Sequence, residues 1–287
     1  MRAYLPHYDL RAPGDLQAVL SLLASAPGEW HPFAGGTDLM VLFESGRLPP
    51  GKYVSVWGLK ELSGIEVTTD AVTLGALTTY TEVLAHPLLQ SEFPLLCRAA
   101  SQTGGIATQN RGTLGGNIAN GSPAADSPPT LLVYDAELEL LSARGTRRVA
   151  YSQFHTGYRK MDIAADELIK GIRLARGRAS WRQTYRKVGT RKAQAISKVC
   201  FAAAADMRDG TVRDIRIAFG SVAPTVARCA RAEAVLRGRA PNASMHEAAR
   251  TALRLDITPI DDIRSTAEYR MRVAENLLIQ FLTELTS

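Results

Sequence analysis

Apolar positions recur with helical spacing over 15–26 (DLQAVLSLLASA), directly behind Asp15, whose side chain suits an N-cap, and this predicts a helix. The next ten residues, HPFAGGTDLM, change character. Positions 31–34 read as a short strand, Gly35 and Gly36 as a turn, and Thr37 or Asp38 as the cap of a helix reaching about residue 45. After a loop at 46–51, alternation predicts a strand at 53–57 and an antiparallel pair at 66–67 and 71–74. Helices are predicted at 79–86 and 92–102, and strands at 130–135, 137–142, 149–152 and 168–173. The short basic stretch RGRAS at 176–180 marks a boundary. Beyond it, 183–187, 197–207 and 211–219 read as strands, and Asp209-Gly210 between the last two is a strong hairpin signal. From 226 the pattern is helical, over 226–237, 244–255 and 266–285, the last opening on a capping-box pattern from Ser265 to Glu268. The expectation is an α+β protein in two domains, 1–175 and 180–287, the second a small antiparallel sheet with a helical tail.

One stretch escapes periodicity. Residues 103–129, TGGIATQNRGTLGGNIANGSPAADSPP, hold six glycines and three prolines among small, amide and hydroxyl side chains. Such a segment builds no core. Glycine permits positive φ and close approach of backbone to a ligand, and small neighbours leave N–H groups uncovered for an anion. The reading is a long ordered loop around a phosphate-bearing cofactor; the alternative is a linker, which the same residues also mark. The turn at 34–38 repeats the theme, because strand, glycine turn and helix start aim N–H groups at one place. Alone it is weak; two such stretches, the longer carrying Asn110, Thr113, Asn117 and Asp126, are stronger. Neither matches GxGxxG with an acid about 20 residues on, nor a P-loop, so a Rossmann site and an NTPase are disfavoured. A pyrophosphate held by two separate backbone loops fits better.

Composition narrows the classes. At 287 residues there is length for about two cored domains, and 46% hydrophobic with 22% charged residues is ordinary for a soluble globular protein. No apolar run approaches the roughly 20 residues of a bilayer span, and the first ten residues carry no leader pattern. Cys97, Cys200 and Cys229 stand far apart, which points to a reducing cytoplasm and not to an iron–sulfur cluster in this chain. The net charge is +6, yet the arginines are mixed with acids and not interleaved with aromatics, so nucleic acid is not expected.

AGGTDLM at 34–40 and ATQNRGTLGGNIANGSPAADSPP at 107–129 resemble the FAD-binding, or medium, subunit of the molybdenum hydroxylases. That family includes xanthine dehydrogenase, carbon monoxide dehydrogenase and bacterial dehydrogenases of N-heterocycles and aldehydes. TYRKVGTRKAQAISKV at 184–199 and IRIAFGSVAPTVARC at 215–229 extend the resemblance over nearly the whole chain. It implies a vanillyl-alcohol-oxidase (PCMH) type FAD domain of two subdomains, about 1–56 and 57–175, followed by a carbon monoxide dehydrogenase flavoprotein-like C-terminal domain. Ala34, Gly35, Gly36, Thr37 and Asp38 match the family segment at the pyrophosphate. In the second stretch, which opens at Ala107 and includes Asn110, Thr113, Gly115, Gly116 and Asn117 match positions around the phosphates. Asp126 matches an acid that reaches ribityl or ribose hydroxyls, and Lys187 a lysine near the isoalloxazine ring.

The resemblance implies non-covalent FAD, a large partner with molybdopterin, and a small partner with two [2Fe–2S] clusters. Electrons would leave the flavin for NAD⁺ or another acceptor, and no acid–base catalytic pair is sought. Xanthine or a related N-heterocycle is the first reading of the substrate, with carbon monoxide, aldehydes and nicotinate as alternatives. A flavin-free scaffold subunit and a stand-alone flavin oxidase are the rivals from other classes. His31 and His155 read as structural or surface residues.

Overall fold

The computed structural model describes residues 7–191 and 194–286. Part of the leader expectation, at residues 1–6, and positions 192–193 inside the TYRKVGTRKAQAISKV stretch lie outside the described residues.

The chain opens with β1 (Tyr8–Arg11), α1 (Leu16–Ser25), β2 (Trp30–Phe33), α2 (Leu39–Glu44) and β3 (Gly51–Ser55). The Asp15 side chain accepts from Ala18 N, so the expected cap is in place. The three strands form a parallel sheet with β3 in the middle. α1 buries Val19, Leu20 and Leu23 against Trp30, Val54 and Val56. α2 buries none of its residues.

Next come β4 (Ile65–Val67), β5 (Ala71–Gly75), α3 (Tyr80–Ala85), α4 (Pro87–Glu92), α5 (Pro94–Gln102), α6 (Ile106–Arg111), α7 (Leu114–Asn120) and α8 (Pro128–Val133). They are followed by β6 (Glu137–Ser142), β7 (Gly145–Ala150), α9 (Tyr151–Phe154), the hairpin β8 (His155–Gly157) and β9 (Lys160–Met161), and β10 (Leu168–Ala175). β4, β5, β10, β6 and β7 make an antiparallel sheet in that order, and the helices α3 to α8 cover it.

Three expectations are corrected here. The stretch 103–129 is not one long loop: it holds α6, α7 and the start of α8. Thr113 caps α7 and Gly121, in the left-handed region, ends it. Helices of six or seven residues are too short to register as periodicity. Second, 130–135 is helical and not a strand; all of α8 is buried, so its apolar run has no polar face to reveal the period, and Pro128 and Pro129 start the helix. Third, the strand expected at 149–152 is β7 ending at Ala150, after which the chain turns into α9.

The last part is β11 (Arg182–Val188), β12 (Val199–Arg208), β13 (Thr211–Gly220), β14 (Ala227–Arg228), α10 (Ala230–Leu236), α11 (Ala243–Asp256) and α12 (Ala267–Glu284). Asp209 and Gly210, both at positive φ, turn the β12–β13 hairpin. The helix expected from 226 starts later, because 227–228 add an edge strand to β13. α12 is capped by Thr266, one residue past the expected Ser265. β12 is buried on both faces: Cys200, Ala202 and Ala204 face the first part of the chain, while Val199, Phe201, Ala203 and Ala205 face α10–α12. Alternation with period two thus joins two cores through one strand. At this junction Asp135, at positive φ, receives Arg178 at 2.7 Å, Arg228 at 2.8 Å and Arg216 at 3.1 Å. Although burial pushes its carboxyl up, these guanidinium groups hold it below the ordinary range.

Candidate functional site

The segment 34–38 joins β2 to α2. Gly36 has φ +80°, which glycine alone adopts freely. Gly35 lies so close to the end of α6 that a Cβ on it would fall 1.6 Å from the carbonyl oxygen of Arg111. Asp38 is the N-cap of α2, but neither it nor Thr37 makes the expected side-chain cap. Among the described residues, the backbone N–H groups of Gly35, Gly36, Thr37 and Asp38 have no protein acceptor. Four consecutive bare donors are what an anionic or acceptor-rich ligand requires.

The second glycine turn is built differently. Leu114 N donates to Thr78 O at 3.0 Å, Gly115 N to Ala76 O at 2.8 Å, and Asn117 N to Thr113 O at 2.9 Å. Gly116 N donates to the Thr113 hydroxyl at 3.1 Å. A Cβ on Gly115 would lie 2.6 Å from Ala76 Cβ, whereas one on Gly116 would meet only the Thr113 Oγ1, at 2.8 Å. So Thr113 and Gly115 are buried structure, and Gly116 presents a bare surface. The Asn117 Oδ1 accepts from Ser127 Oγ at 2.6 Å, which ties α7 to the start of α8.

Asp126 is 8% exposed. Its Oδ2 accepts from Lys187 Nζ at 2.6 Å, and Lys187 also donates to Gln102 O at 2.9 Å. The Asp126 Oδ1 is buried with no hydrogen-bond partner. Burial pushes the Asp126 carboxyl up to about 6, against the pull of Lys187. Tyr185, next to Lys187 on β11, donates from its hydroxyl to Asp126 O at 3.3 Å and accepts from Cys200 Sγ at 3.2 Å. These partners hold the aspartate in place from the other side of the junction. Tyr80, a buried phenol with Ser127 and Thr103 beside it, forms no completed hydrogen bond; burial pushes its pKa well up, and the Asp126 and Asp38 carboxylates push it further. The two stretches meet where Gly35 packs on the Arg111 carbonyl at the end of α6, and Gly112, the next residue, lies against the Tyr80 ring.

Ala107 and Asn110 stand apart from that group, exposed on α6. Asn110 accepts from Thr81 Oγ1 at 2.6 Å and lines a cavity of about 260 Å³ with Trp57, Ser63, Leu77, Thr79 and Glu82. The Arg111 guanidinium lies 3.8 Å from the Trp57 ring centroid. His155 bonds through Nε2 to Ile118 O at 3.0 Å, and burial lowers its basicity; His31 is exposed and packs on Tyr53. The reading missed Trp57, which carries no motif of its own, and Tyr185, which lies in the 184–199 stretch beside Lys187 but is brought to Asp126 only by the fold.

Residues 6–176 match the family described as FAD binding domain in molybdopterin dehydrogenase, and 183–285 match the carbon monoxide dehydrogenase flavoprotein C-terminal domain. The chain belongs to the FAD-binding subunits of the molybdenum hydroxylases. It is 32% identical to a protein of Escherichia coli K12 named putative xanthine dehydrogenase FAD-binding subunit, over 94% of this chain and 92% of that one. With the nicotinate dehydrogenase FAD-subunit of Eubacterium barkeri it shares 34% over 58% of this chain and 57% of the other. A solved carbon monoxide dehydrogenase chain from Hydrogenophaga pseudoflava superposes with a TM-score of 0.92 at 28% identity, covering 98% of this chain and 97% of that one. The flavoprotein subunit is thus part of an oxidoreductase. Among its described residues no helix is long and apolar enough to cross a membrane.

The residues present fit FAD. Four unpaired donors at 35–38 suit a diphosphate, and the buried, unpartnered Asp126 Oδ1 suits a hydroxyl donor.

Proposed function

We propose that this chain is the electron-transfer subunit of a molybdenum hydroxylase and holds FAD non-covalently between the 34–38 turn and the 107–126 stretch. The observation that carries the reading is the run of bare N–H groups at Gly35, Gly36, Thr37 and Asp38. In it, those donors and the Ala34 backbone bind the diphosphate. Gly116 and Asn117 form the opposite wall, held in shape by Thr113 and Gly115. Ala107 and Asn110 reach the adenosine side. Asp126 accepts a hydroxyl through Oδ1, and Lys187 places positive charge beside the ring system, where negative charge develops on reduction. Bound FAD supplies the exchange between one-electron donors and a two-electron acceptor; the chain's own part is binding, orientation and tuning.

In this reading a small partner with two [2Fe–2S] clusters delivers electrons, and a large partner with molybdopterin hydroxylates the substrate. NAD⁺ or another acceptor takes the pair. For the substrate we infer xanthine or a related N-heterocycle. The relatives named for nicotinate and carbon monoxide support those readings equally, since the substrate pocket belongs to the large partner. We take 1–175 and 180–287 as the working division of the chain.

The test is the visible absorption spectrum of the chain isolated gently with whatever accompanies it, repeated on Gly116→Val. Flavin bands over a broad iron–sulfur background are expected from the parent. The variant should lose flavin with little loss of folding, because its side chain enters the cleft and meets only Thr113. A colourless parent sinks the reading and favours a scaffold; full flavin in the variant sinks the placement of the wall.

A further inference from the structure

The backbone that leads into Asp126 is gripped by the last part of the chain. The β12–β13 hairpin sets Cys200 opposite Gly220, so Ser197, just ahead of β12, and Ser221, just past β13, arrive side by side. Their hydroxyl oxygens lie 2.9 Å apart, and Ser221 Oγ donates to Ser197 O at 3.0 Å. Ser221 N donates to Pro123 O at 2.8 Å, and Ser197 Oγ to Ala124 O at 3.1 Å. With the Tyr185 hydroxyl on Asp126 O, three of the four carbonyls from 123 to 126 are held from outside the stretch. The Asp126 Oδ1, in contrast, is left without a partner.

Behind the two serines stands Arg270, in the first turn of α12 and only 4% exposed. Its Nη1 donates to Ser221 O at 2.6 Å, and its Nη2 to Asp262 Oδ1 at 2.5 Å. Ser221 is thus pinned from both sides, its N–H to Pro123 and its C=O to Arg270. It sits at φ +66°, where a serine is strained unless its surroundings hold it. Asp262 is fixed in turn, because the same Oδ1 accepts from Arg264 N at 2.8 Å and Ser265 N at 3.1 Å. The Arg270 Nε is buried with no hydrogen-bond partner among the described residues. A cation so placed costs stability that an apolar side chain in the same core would not. What it supplies is direction, since a planar guanidinium between a carbonyl and a carboxylate tolerates little change of geometry.

We propose that Arg270 is a positioning residue for the cofactor: by holding Ser221 in its left-handed conformation it fixes the 123–126 backbone, and with it the direction of Asp126 Oδ1. The proposal rests on the reading of Asp126 as the acceptor of a cofactor hydroxyl. Arg270 acts through Ser221 and Pro123. Without the guanidinium, Ser221 relaxes toward ordinary backbone and its N–H turns away from Pro123. Asp126 then keeps its ion pair with Lys187, which comes from β11, but loses the backbone placement that aims its second oxygen.

The test is FAD titration of the full chain after flavin removal, with thermal melts alongside, for the parent, R270M, R270K, Ser197→Ala, Asp126→Ala and Leu278→Ala. Leu278 is fully buried in the second core, on the same helix and about 12 Å further along it, so its truncation loosens α12 without touching Ser221. R270M is expected to weaken FAD about tenfold and to change the visible circular dichroism of the flavin that still binds. R270K keeps the charge but not the fork, and should recover part of the loss; it carries the test if R270M does not fold. Ser197→Ala should weaken FAD about threefold, and less than that when added to R270M, because both act on one segment. Leu278→Ala should lower the melting temperature and leave FAD affinity and the flavin spectrum alone. FAD affinity unchanged in both arginine variants overturns the proposal, as does a loss no larger than that of Leu278→Ala at a matched fall in melting temperature. Asp126→Ala separates the two readings. If it binds FAD like the parent, the reading of Asp126 fails and the proposal falls with it; if it binds weakly while the arginine variants bind normally, the role of Arg270 alone is overturned.

Discussion

Two glycine turns, 34–38 and 113–117, look alike in sequence and serve opposite purposes. In the first, the four N–H groups from Gly35 to Asp38 have no acceptor among the described residues. In the second, the N–H groups of Leu114, Gly115, Gly116 and Asn117 all have one. Glycine at 36 supplies a backbone angle, whereas glycine at 115 supplies room, because Ala76 occupies the space a side chain would need. The difference teaches that glycine-rich loops around a ligand divide the work. One turn is left incomplete for the ligand to finish; the other is a finished piece of architecture that sets the distance between them. What the second stretch offers a ligand comes from its bare Gly116 surface and, further on, from Asp126.

The comparison breaks most sharply at Gly115. Replacing it with Val drives Cγ atoms into Ala76 and the strand end beyond it, and removes the Gly115–Ala76 hydrogen bond. Destabilisation of about 4 kcal/mol or more is expected, a fall of about 10 °C in thermal unfolding, with or without FAD. A Gly115→Val chain that melts like the parent would show the turn to be as open as the first.

The next effect is one of pH, at the far end of the same stretch. Burial raises the Asp126 carboxyl to about 6. A raised acid binds its proton more tightly when folded, so its contribution to stability is full below the ordinary value near 3.8 and is lost as pH rises through about 6. In the flavin-free chain, stability should therefore fall between about pH 4 and 6, by on the order of 3 kcal/mol. Asp126→Asn should flatten that slope; denaturant melts across the range measure it, and a slope unaltered in the variant removes Asp126 as its source.

The smallest effect is expected at Gly36. Gly36→Ala forces a side chain into the left-handed region, 3.1 Å from the Phe33 ring, at a cost of about 1 kcal/mol. Thermal unfolding should drop by about 2–4 °C, while FAD affinity falls several-fold because the donors no longer converge. If affinity holds and only stability moves, the first turn is architecture like the second.

The helical stretches inside 103–129 show where reading the chain stops short. Periodicity needs about two turns and a polar face to register. α6 and α7 are too short for the first requirement, and α8, buried throughout, lacks the second. By contrast, the Asp209-Gly210 hairpin and the Asp15 cap are legible because the residues that specify them are neighbours. β12 is legible for a related reason, since a run buried on both faces is apolar throughout.

By itself, then, the sequence determined the local units and the family: β2 leading into the glycine turn at 34–38, the α+β class, and the motifs at 34–40 and 107–129 that mark the FAD-binding subunits. Only the tertiary structure decided which of the look-alike N–H groups stay bare and that Lys187 meets Asp126 across 61 residues. The physical reason is that a backbone donor's availability and a charge's partner depend on what packs against them in space. Spacing along the chain constrains only the partners within a turn or a hairpin.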